Sequence, residues 1–201
     1  MSVAIGIVHD EKVDAAWVWD LLALRRHPLV SECIHVPGGP GNFDVARNKV
    51  AAAFLQGGAD HLLTVDTDMA FAVADMEALL ADGLPVVSAV YFIADEPPRA
   101  CFSRRDPTGY LKRVAWAWRQ DPFEVDACGG GFMLIRRDVL TDIGREDADR
   151  AGPWYRQSAV GASGSVLEPD HAFCQRVQQA GHGVYVDPLV RVGHIKARVL
   201  R

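Results

Sequence analysis

The order of apolar and polar residues in the first half of the chain predicts strands that alternate with helices. Short β-branched runs predict four strands, at Val3–His9, Cys33–Val36, Asp60–Val65 and Pro85–Phe92. Helical spacing predicts three helices. The first is Val13–Arg26 and the third is Ala74–Ala81. The second is capped by Asp44 and has its apolar stripe at Val45, Val50, Ala53 and Phe54. This alternation is typical of an α/β fold with a mostly parallel sheet and helices on both faces.

The second half of the chain has proline-rich turns and less regular apolar spacing. The predicted elements are a small antiparallel portion that includes Leu111–Trp118, a strand at Phe132–Ile135 followed by a short helix, a mobile loop at Trp154–Ser165, a helix at Pro169–Ala180, and a strand pair at Val184–Asp187 and Val190–Val192. No linker or internal repeat divides the chain, so we expect one domain.

Composition narrows the class of protein. Apolar residues make up 49% of the chain and charged residues 23%, which is typical of a soluble globular protein. The net charge of −5 argues against binding nucleic acid through its phosphates. The four cysteines lie far apart, which indicates reduced thiols rather than a zinc site or a disulfide scaffold. Because we find no signal peptide and no apolar run of about 20 residues, we expect a cytoplasmic protein without a membrane segment.

Two carboxylates that follow the third predicted strand are the strongest candidates for chemistry. Alternate residues of an extended backbone point to the same side, so Asp66 and Asp68 would face one space at the carboxyl end of a parallel strand. Such oxygen ligands suit Mg²⁺ or Mn²⁺, which would bridge phosphate oxygens. The spacing alone is weak evidence, because Asp147 and Asp149 match it within a polar stretch.

A histidine and a third carboxylate extend this candidate site. His194 follows the last predicted strands, and its imidazole could complete a Mn²⁺ shell, although a lone histidine is more often a structural residue. Asp170 lies in the first turn of a predicted helix, where backbone amides and the helix dipole favour an ionised carboxylate. It could serve there as a general base or only stabilise the helix.

Several segments, in this order, together resemble the GT-A-fold glycosyltransferases related to the family 2 group, especially compact bacterial and phage members. The segments are Thr64–Met69, Gly130–Arg137, Asp170 with Phe173, Cys174 and Arg176, Gly181 with Val184–Pro188, and Gly193–His194. The similarity extends from Gly6 to His194. It implies a single Rossmann-like domain, residues 1–201, with a nucleotide-binding half (1–93), an acceptor and catalytic half (94–194) and a basic tail (195–201).

The resemblance also implies a reaction and its residues. A sugar would move from a nucleoside-diphosphate donor, with a UDP-sugar favoured, to a glycan, a protein, a lipid-linked sugar or a modified nucleic acid. Asp68 would bind the metal, Asp66 would contact the donor ribose or the metal, and His194 would complete the Mn²⁺ or Mg²⁺ shell. Asp170 would be the general base of an inverting reaction. On the donor side, Gly6 and Val8 would lie next to the nucleobase, Arg47 and Asn48 would face the nucleotide, and Gly130 and Gly131 would let the backbone approach the sugar. The acceptor and the oligomeric state stay open.

One departure from the resemblance keeps alternatives open. Relatives usually carry Glu-Asp where this chain has Pro169-Asp170, with Glu168 displaced by one residue. A nucleotide- or sugar-binding module that has lost catalysis is therefore one alternative. A nucleotidyltransferase similar to sugar-nucleotide pyrophosphorylases is another, but Val8–Lys12 lacks the glycine-rich loop that such enzymes carry after the first strand.

The tryptophans and the basic end of the chain give two further expectations. Trp154 in the predicted mobile loop is the candidate for acceptor contact, whereas the other four tryptophans are expected in the core or at an interface. Lys196 and Arg198 would either fold over the diphosphate as a lid or form a solvated terminus.

Overall fold

The fold consists of one large sheet, small antiparallel sheets and helices. A computed structural model describes residues 1–9, 13–38, 42–93, 95–146, 152–157, 159–160 and 165–196. The helices in these ranges are α1 (Ala15–Arg25), α2 (Phe43–Gln56), α3 (Val73–Ala81), α4 (Arg137–Glu146) and α5 (Pro169–Gln179). Within the described ranges, no helix is both long enough and apolar enough to cross a membrane.

The strands divide between the large sheet and short hairpins. They are β1 (Val3–His9), β2 (Val30–Pro37), β3 (His61–Asp66), β4 (Met69–Ala70), β5 (Val86–Val90), β6 (Phe92–Ile93), β7 (Arg99–Ala100), β8 (Phe102–Arg105), β9 (Leu111–Arg113), β10 (Phe123–Glu124), β11 (Ala127–Cys128), β12 (Phe132–Arg136), β13 (Ala159–Val160), β14 (Ser165–Val166), β15 (Val184–Arg191) and β16 (Gly193–His194).

The seven strands of the large sheet follow the order β10-β15-β5-β12-β3-β1-β2. Strand β1 is parallel to β2 and β3, β15 is parallel to β5, and β12 is antiparallel to both β3 and β5. Five strands therefore run in one direction, while β12 and β10 run in the other. The predicted α/β class with a mostly parallel sheet is confirmed, whereas the insertion of β12 between β3 and β5 was not predicted.

Apolar side chains on both faces of the sheet explain why these strands occupy its centre. All five residues of β5 are buried, as are the first six of β1 and the first four of β12. Helices α2, α4 and α5 contact one another in turn, and α1 contacts α3. The helices thus form two groups, as expected for the two faces of a doubly covered sheet.

Helix α2 begins one residue before its predicted cap. Its N-cap is Asn42, so Asp44 lies in the first turn instead of capping the helix. Val45, predicted to belong to the apolar stripe, is 48% exposed. Arg47 is buried in the stripe, because its guanidinium contacts two carboxylates from other elements.

Two predicted elements of the second half differ in extent. Only Leu111–Arg113 of the predicted alternating run is a strand; the chain turns where Arg119 N donates to Trp116 O at 2.8 Å. The predicted strand pair near residue 190 is the single strand β15, with a register shift between Asp187 and Arg191. Pro188 lies within that shift, where its missing N–H costs no ladder hydrogen bond.

The expectation of acceptor contact was wrong for Trp154. Trp154 is 7% exposed, and its Nε1 donates to Leu140 O at 2.8 Å, so it belongs to the core and not to an acceptor surface. Trp19 and Trp118, which were expected in the core or at an interface, are 72% and 70% exposed, so they lie outside the core and an interface position stays a prediction. Part of the predicted mobile loop lies outside the described residues. Asp147, Asp149 and Arg198 also lie outside them.

Candidate functional site

The candidate site lies at the carboxyl end of β3. Asp66 is the last residue of this strand, and a two-residue turn that contains Asp68 leads to β4. Trp17 of α1 fixes the turn, because its Nε1 donates to Asp66 O at 3.0 Å. Strand β16 pairs with β4, which places His194 opposite Met69 and therefore next to Asp68.

The side chains of Asp68 and His194 meet in a geometry that suits metal binding. His194 Nε2 lies 3.2 Å from Asp68 Oδ2, and His194 Nδ1 lies 2.8 Å from the carbonyl oxygen of Phe92. A carbonyl oxygen only accepts, so Nδ1 is the protonated nitrogen that faces Phe92. Nε2 is then the ring nitrogen that faces Asp68, where it and the carboxylate oxygen can both serve as ligands of one metal ion. A backbone carbonyl that orients the second ring nitrogen is typical of metal-binding histidines.

This donor set fits a divalent metal ion that takes most of its ligands from substrate and water. Among the residues that the structure describes, no three His, Cys, Asp or Glu side chains are grouped so that they could hold a metal. Mg²⁺ commonly binds through one or two protein carboxylates together with substrate phosphates. Asp68 supplies such a carboxylate with His194 beside it, whereas the carboxylate of Asp66 is bound by a guanidinium.

Arg47 is the centre of the second part of the site. Its Nη2 donates to both carboxylate oxygens of Asp66, at 2.9 and 3.2 Å, and its Nε lies 3.3 Å from Asp170 Oδ1. Its Nη1 donates to Gly130 O at 3.2 Å, and its guanidinium carbon lies 5.6 Å from the ring centroid of Tyr155. One buried side chain, 6% exposed, thereby joins the end of β3 to the start of α5.

Burial and opposite charge compete in this cluster. Burial lowers the pKa of Arg47, but the carboxylates of Asp170 and Asp66 outweigh burial and raise it overall. Burial also raises the pKa of Asp66 above its ordinary value, and Arg47 reverses only part of that rise. The ionised form of Asp66 therefore depends on the guanidinium beside it.

Two glycines let the loop before β12 approach these side chains. Gly130 N donates to Asp170 Oδ2 at 2.9 Å, and Gly130 O accepts hydrogen bonds from Arg47 and from Thr64 Oγ1. A Cβ atom at Gly130 would lie 2.4 Å from Arg47 Nη1, so a larger residue would displace the guanidinium. Gly131 N donates to Tyr91 Oη at 3.1 Å.

Two adjoining pockets open onto these residues. One, of about 390 Å³, is lined by Val8, Val13, Asp14, Phe43, Asp66, Thr67, Asp68 and Ile195. The other, of about 340 Å³, is lined by Phe43, Asp44, Arg47, Asp66, Gln157, Glu168, Pro169 and Asp170. We call them the Asp68 pocket and the Asp170 pocket. They share Phe43 and Asp66, so the two pockets adjoin.

Comparisons with known proteins bear on the fold. No protein-family model and no curated protein sequence matches the chain. The crystal structure of A197 from STIV is 19% identical, with 100% of this chain and 97% of that chain covered and a TM-score of 0.56. The crystal structure of GalNAc-T7 with UDP, GalNAc and Mn²⁺ is 15% identical, with a TM-score of 0.62. The chain has a GT-A-like fold.

The likeness to GalNAc-T7 covers 97% of this chain but only 44% of that chain, so this protein spans less than half the length of that structure. At these identities the comparisons concern the fold alone. The carboxyl end of β3, where the GT-A-like sheet presents Asp66 and Asp68, is also where open α/β sheets place their ligands.

The structure brings together most of the residues that the sequence marked. The residues that line the two pockets include Val8, Arg47, Asp66, Asp68 and Asp170. Gly130 contacts Asp170, and His194 contacts Asp68. Gly6 instead faces the core, where a Cβ atom would lie 2.5 Å from Val50. Asn48 uses its Oδ1 to accept a hydrogen bond from Tyr155 N at 3.0 Å, so it holds the segment beside the site.

Close packing also explains the glycine that begins this segment. Gly152 has a φ of +81°, and a Cβ atom there would lie 2.9 Å from the side chain of Asn48. Asn48 therefore positions backbone rather than lining either pocket. The glycine provides both the left-handed conformation and the space that this contact requires.

Some residues that line the site carried no signal in the sequence. Phe43 lines both pockets from the first turn of α2, and Asp14 lines the Asp68 pocket while its side chain caps α1. Tyr155 packs under Arg47 and stacks on Phe173 with ring centroids 4.6 Å apart. Only the spatial arrangement of the elements gives these residues their place.

Proposed function

We propose that the protein is a metal-dependent glycosyltransferase that uses a nucleoside-diphosphate sugar. The observation that carries the proposal is the contact between Asp68 and His194, at 3.2 Å, at the edge of a GT-A-like sheet. Asp68 Oδ2 and His194 Nε2 would hold Mn²⁺ or Mg²⁺, whose charge neutralises the departing diphosphate. The two adjoining pockets support a reaction between two bound molecules.

The Asp68 pocket is proposed to hold the donor. Val8 and Phe43 offer apolar contacts for a base, and Asp68 lies on the same wall. Asp66 would bind the donor ribose, since its carboxylate is kept ionised and oriented by Arg47. A UDP-sugar is the favoured donor, because UDP and Mn²⁺ accompany GalNAc-T7 in the similar structure.

The Asp170 pocket is proposed to hold the acceptor. Asp170 would take the proton from the acceptor hydroxyl as that oxygen attacks the anomeric carbon, which gives inversion. Gly130 N and Arg47 Nε fix its two oxygens, so the carboxylate is oriented before the acceptor arrives.

The charge of the Asp170 pocket favours an uncharged hydroxyl acceptor over a phosphorylated one. Among the described residues that line it, Asp44, Glu168, Asp66 and Asp170 contribute carboxylates and Arg47 contributes one guanidinium. Arg47 is buried and already bonded to Asp66, Asp170 and Gly130, so it cannot neutralise a further anion. Carboxylates readily accept hydrogen bonds from sugar hydroxyls.

The alternative of a binding module without catalysis rested on Pro169. The structure places Glu168, which precedes this proline, on the wall of the Asp170 pocket together with Asp170. A second carboxylate is therefore available on the acceptor side despite the shifted sequence. This observation favours the enzyme over the binding module.

Donor hydrolysis tests the proposal without knowledge of the acceptor. Wild-type protein with Mn²⁺ should slowly release UDP from a UDP-sugar, or GDP from a GDP-sugar, and EDTA should abolish the release. Asp68→Asn should eliminate it and weaken nucleotide binding. Asp170→Asn should retain metal-dependent nucleotide binding but slow this release, in which water replaces the acceptor hydroxyl, by about 100-fold to 10,000-fold. Nucleotide binding without release of diphosphate in any donor would instead support the binding module.

A further inference from the structure

The backbone places Lys196 beside the candidate metal ligands. Strand β16 pairs with β4, and Ile195 N then donates to the carbonyl oxygen of Asp68 at 2.7 Å. These bonds fix the chain up to the residue before Lys196. The ammonium Nζ of Lys196 lies 2.5 Å from Asp68 Oδ2. Lys196 therefore reaches the same carboxylate oxygen that faces His194 Nε2.

A divalent metal ion and this ammonium compete for one oxygen atom. Asp68 Oδ2 is contacted by His194 Nε2 at 3.2 Å and by Lys196 Nζ at 2.5 Å. A divalent metal ion bound to that oxygen would lie next to the positively charged ammonium of Lys196, and like charges at this separation repel. The ammonium must therefore leave Asp68 before the carboxylate can bind a metal fully.

We infer that Lys196 pairs with Asp68 in the free protein and moves onto the donor diphosphate when the donor binds. This inference rests on the proposed function. Phosphate oxygens are negatively charged, and charge-assisted hydrogen bonds to phosphate are strong, so the ammonium exchanges Asp68 for the diphosphate. Lys196 thus weakens metal binding before the nucleotide arrives and strengthens nucleotide binding. The donor and the metal enter together, or the nucleotide enters first.

The exposure of the pair indicates how strongly Lys196 opposes the metal. The side chains of Lys196 and Asp68 are 43% and 39% exposed. Ion pairs between such exposed groups are weak, so the pair is easily exchanged for a better partner. The expected effect on metal affinity is accordingly a few-fold and not an all-or-none block.

Calorimetric titration of Mn²⁺ in the absence of nucleotide tests the inference. Lys196→Gln should bind Mn²⁺ about threefold to fivefold more tightly than wild type, the change expected when an exposed ion pair is removed. Lys196→Arg keeps the charge and should resemble wild type. Asp68→Asn gives the background binding. The same Lys196→Gln protein should bind UDP or GDP in EDTA more weakly than wild type, so the two affinities move in opposite directions.

Lys112→Gln is the matched control, because Lys112 also pairs with an aspartate, Asp106, but in the β8–β9 hairpin. It should change neither affinity. An Mn²⁺ affinity of Lys196→Gln that is unchanged or lower, or an equal gain in Lys112→Gln, would overturn the inference and leave the donor site standing. Wild-type protein that binds neither UDP nor GDP with Mn²⁺ would overturn the proposed function itself.

Discussion

Arg47 is the residue on which the arrangement of the site depends most. Its guanidinium contacts the carboxylates of Asp66 and Asp170, which would otherwise be like charges in a partly buried space. The resemblance to GT-A-fold glycosyltransferases implied that Arg47 lies on the nucleotide side, but helical spacing could not show which carboxylates it would meet. A cation on a buried helix stripe is a signal in itself, since a buried charge requires a partner.

Replacing Arg47 with methionine should destabilise the protein by about 3–5 kcal/mol, because two carboxylates lose their shared partner. The loss should be smaller at pH 4 than at pH 8, since protonation removes the unpaired charge. Burial already raises the pKa of Asp66, and loss of the guanidinium would raise that pKa further, so Asp66 would be protonated more readily at low pH. Urea unfolding at the two pH values measures both effects.

Arg137→Met is the matched control for this prediction. The guanidinium of Arg137 is partly buried, and it donates to the carbonyl oxygens of Phe54, Leu55, Gly57 and Ala59 and, among the described residues, to no carboxylate. Its loss should destabilise the protein equally at both pH values. A loss in Arg47→Met that does not change with pH would contradict the role given to the two carboxylates.

Gly130 is a second residue whose identity the site requires. A Cβ atom there would lie 2.4 Å from Arg47 Nη1, so Gly130→Ala should push the guanidinium away from Asp66 and Asp170. We expect a loss of about 1–3 kcal/mol in unfolding free energy, as for other overpacked sites, and weaker nucleotide binding. Denaturant unfolding and calorimetry measure the two quantities.

Gly58→Ala is the control for Gly130→Ala, because no atom lies within 4 Å of a Cβ at Gly58. Its stability should stay within about 0.5 kcal/mol of wild type. Equal stability and equal nucleotide affinity in wild type and Gly130→Ala would show that the loop before β12 does not control Arg47.

At the scale of elements, burial pattern decided what could be predicted. Strands β1, β3 and β5 have apolar residues on both faces, and their positions agree with the sequence to within one or two residues. Strand β9 is shorter than its alternating pattern suggested, because the chain turns at Trp116. The pairing of β16 with β4 had no pattern to reveal it, since each has only two residues. That pairing brings His194 to Asp68.

The end of α3 carries a pH-sensitive group. Burial, followed by the charge of Asp187, raises the pKa of Asp82 from 3.8 to about 6. Its Oδ2 is buried and has no hydrogen-bond partner among the residues that the structure describes. An acid whose pKa is higher in the folded protein loses stability as the pH rises from its unfolded pKa through its folded pKa. The contribution of Asp82 to the free energy of unfolding should therefore fall between about pH 4 and pH 7.

Asp82→Asn should remove this loss. The stability of the variant minus that of wild type should therefore be larger at pH 7.5 than at pH 4.5. Urea midpoints at the two pH values measure the difference. Asp121→Asn, at an exposed position, is the control and should show no such shift. If the difference between Asp82→Asn and wild type is the same at both pH values, the raised pKa is not a property of the folded protein.

At the scale of the whole molecule, both halves of the chain build one sheet. Strands β12, β15 and β10 come from the second half and join β5 and β3 from the first. The site forms where segments distant in sequence meet, at residues 66–68, 130, 170 and 194–196. The sequence could identify several of these segments by their resemblance to known transferases. It could not show the shared contact of Arg47 or the two pockets, which arise only from packing.

Nucleotide binding tests the central claim most directly. Purified protein should be titrated in a calorimeter with UDP and with GDP, each in Mn²⁺ and again in EDTA, alongside Asp68→Asn. We predict that one nucleotide binds tightly with Mn²⁺, binds much more weakly in EDTA, and loses its metal dependence in Asp68→Asn. Absence of binding by both nucleotides with Mn²⁺, in protein shown to be folded, would contradict a metal-dependent donor site at Asp68 and His194.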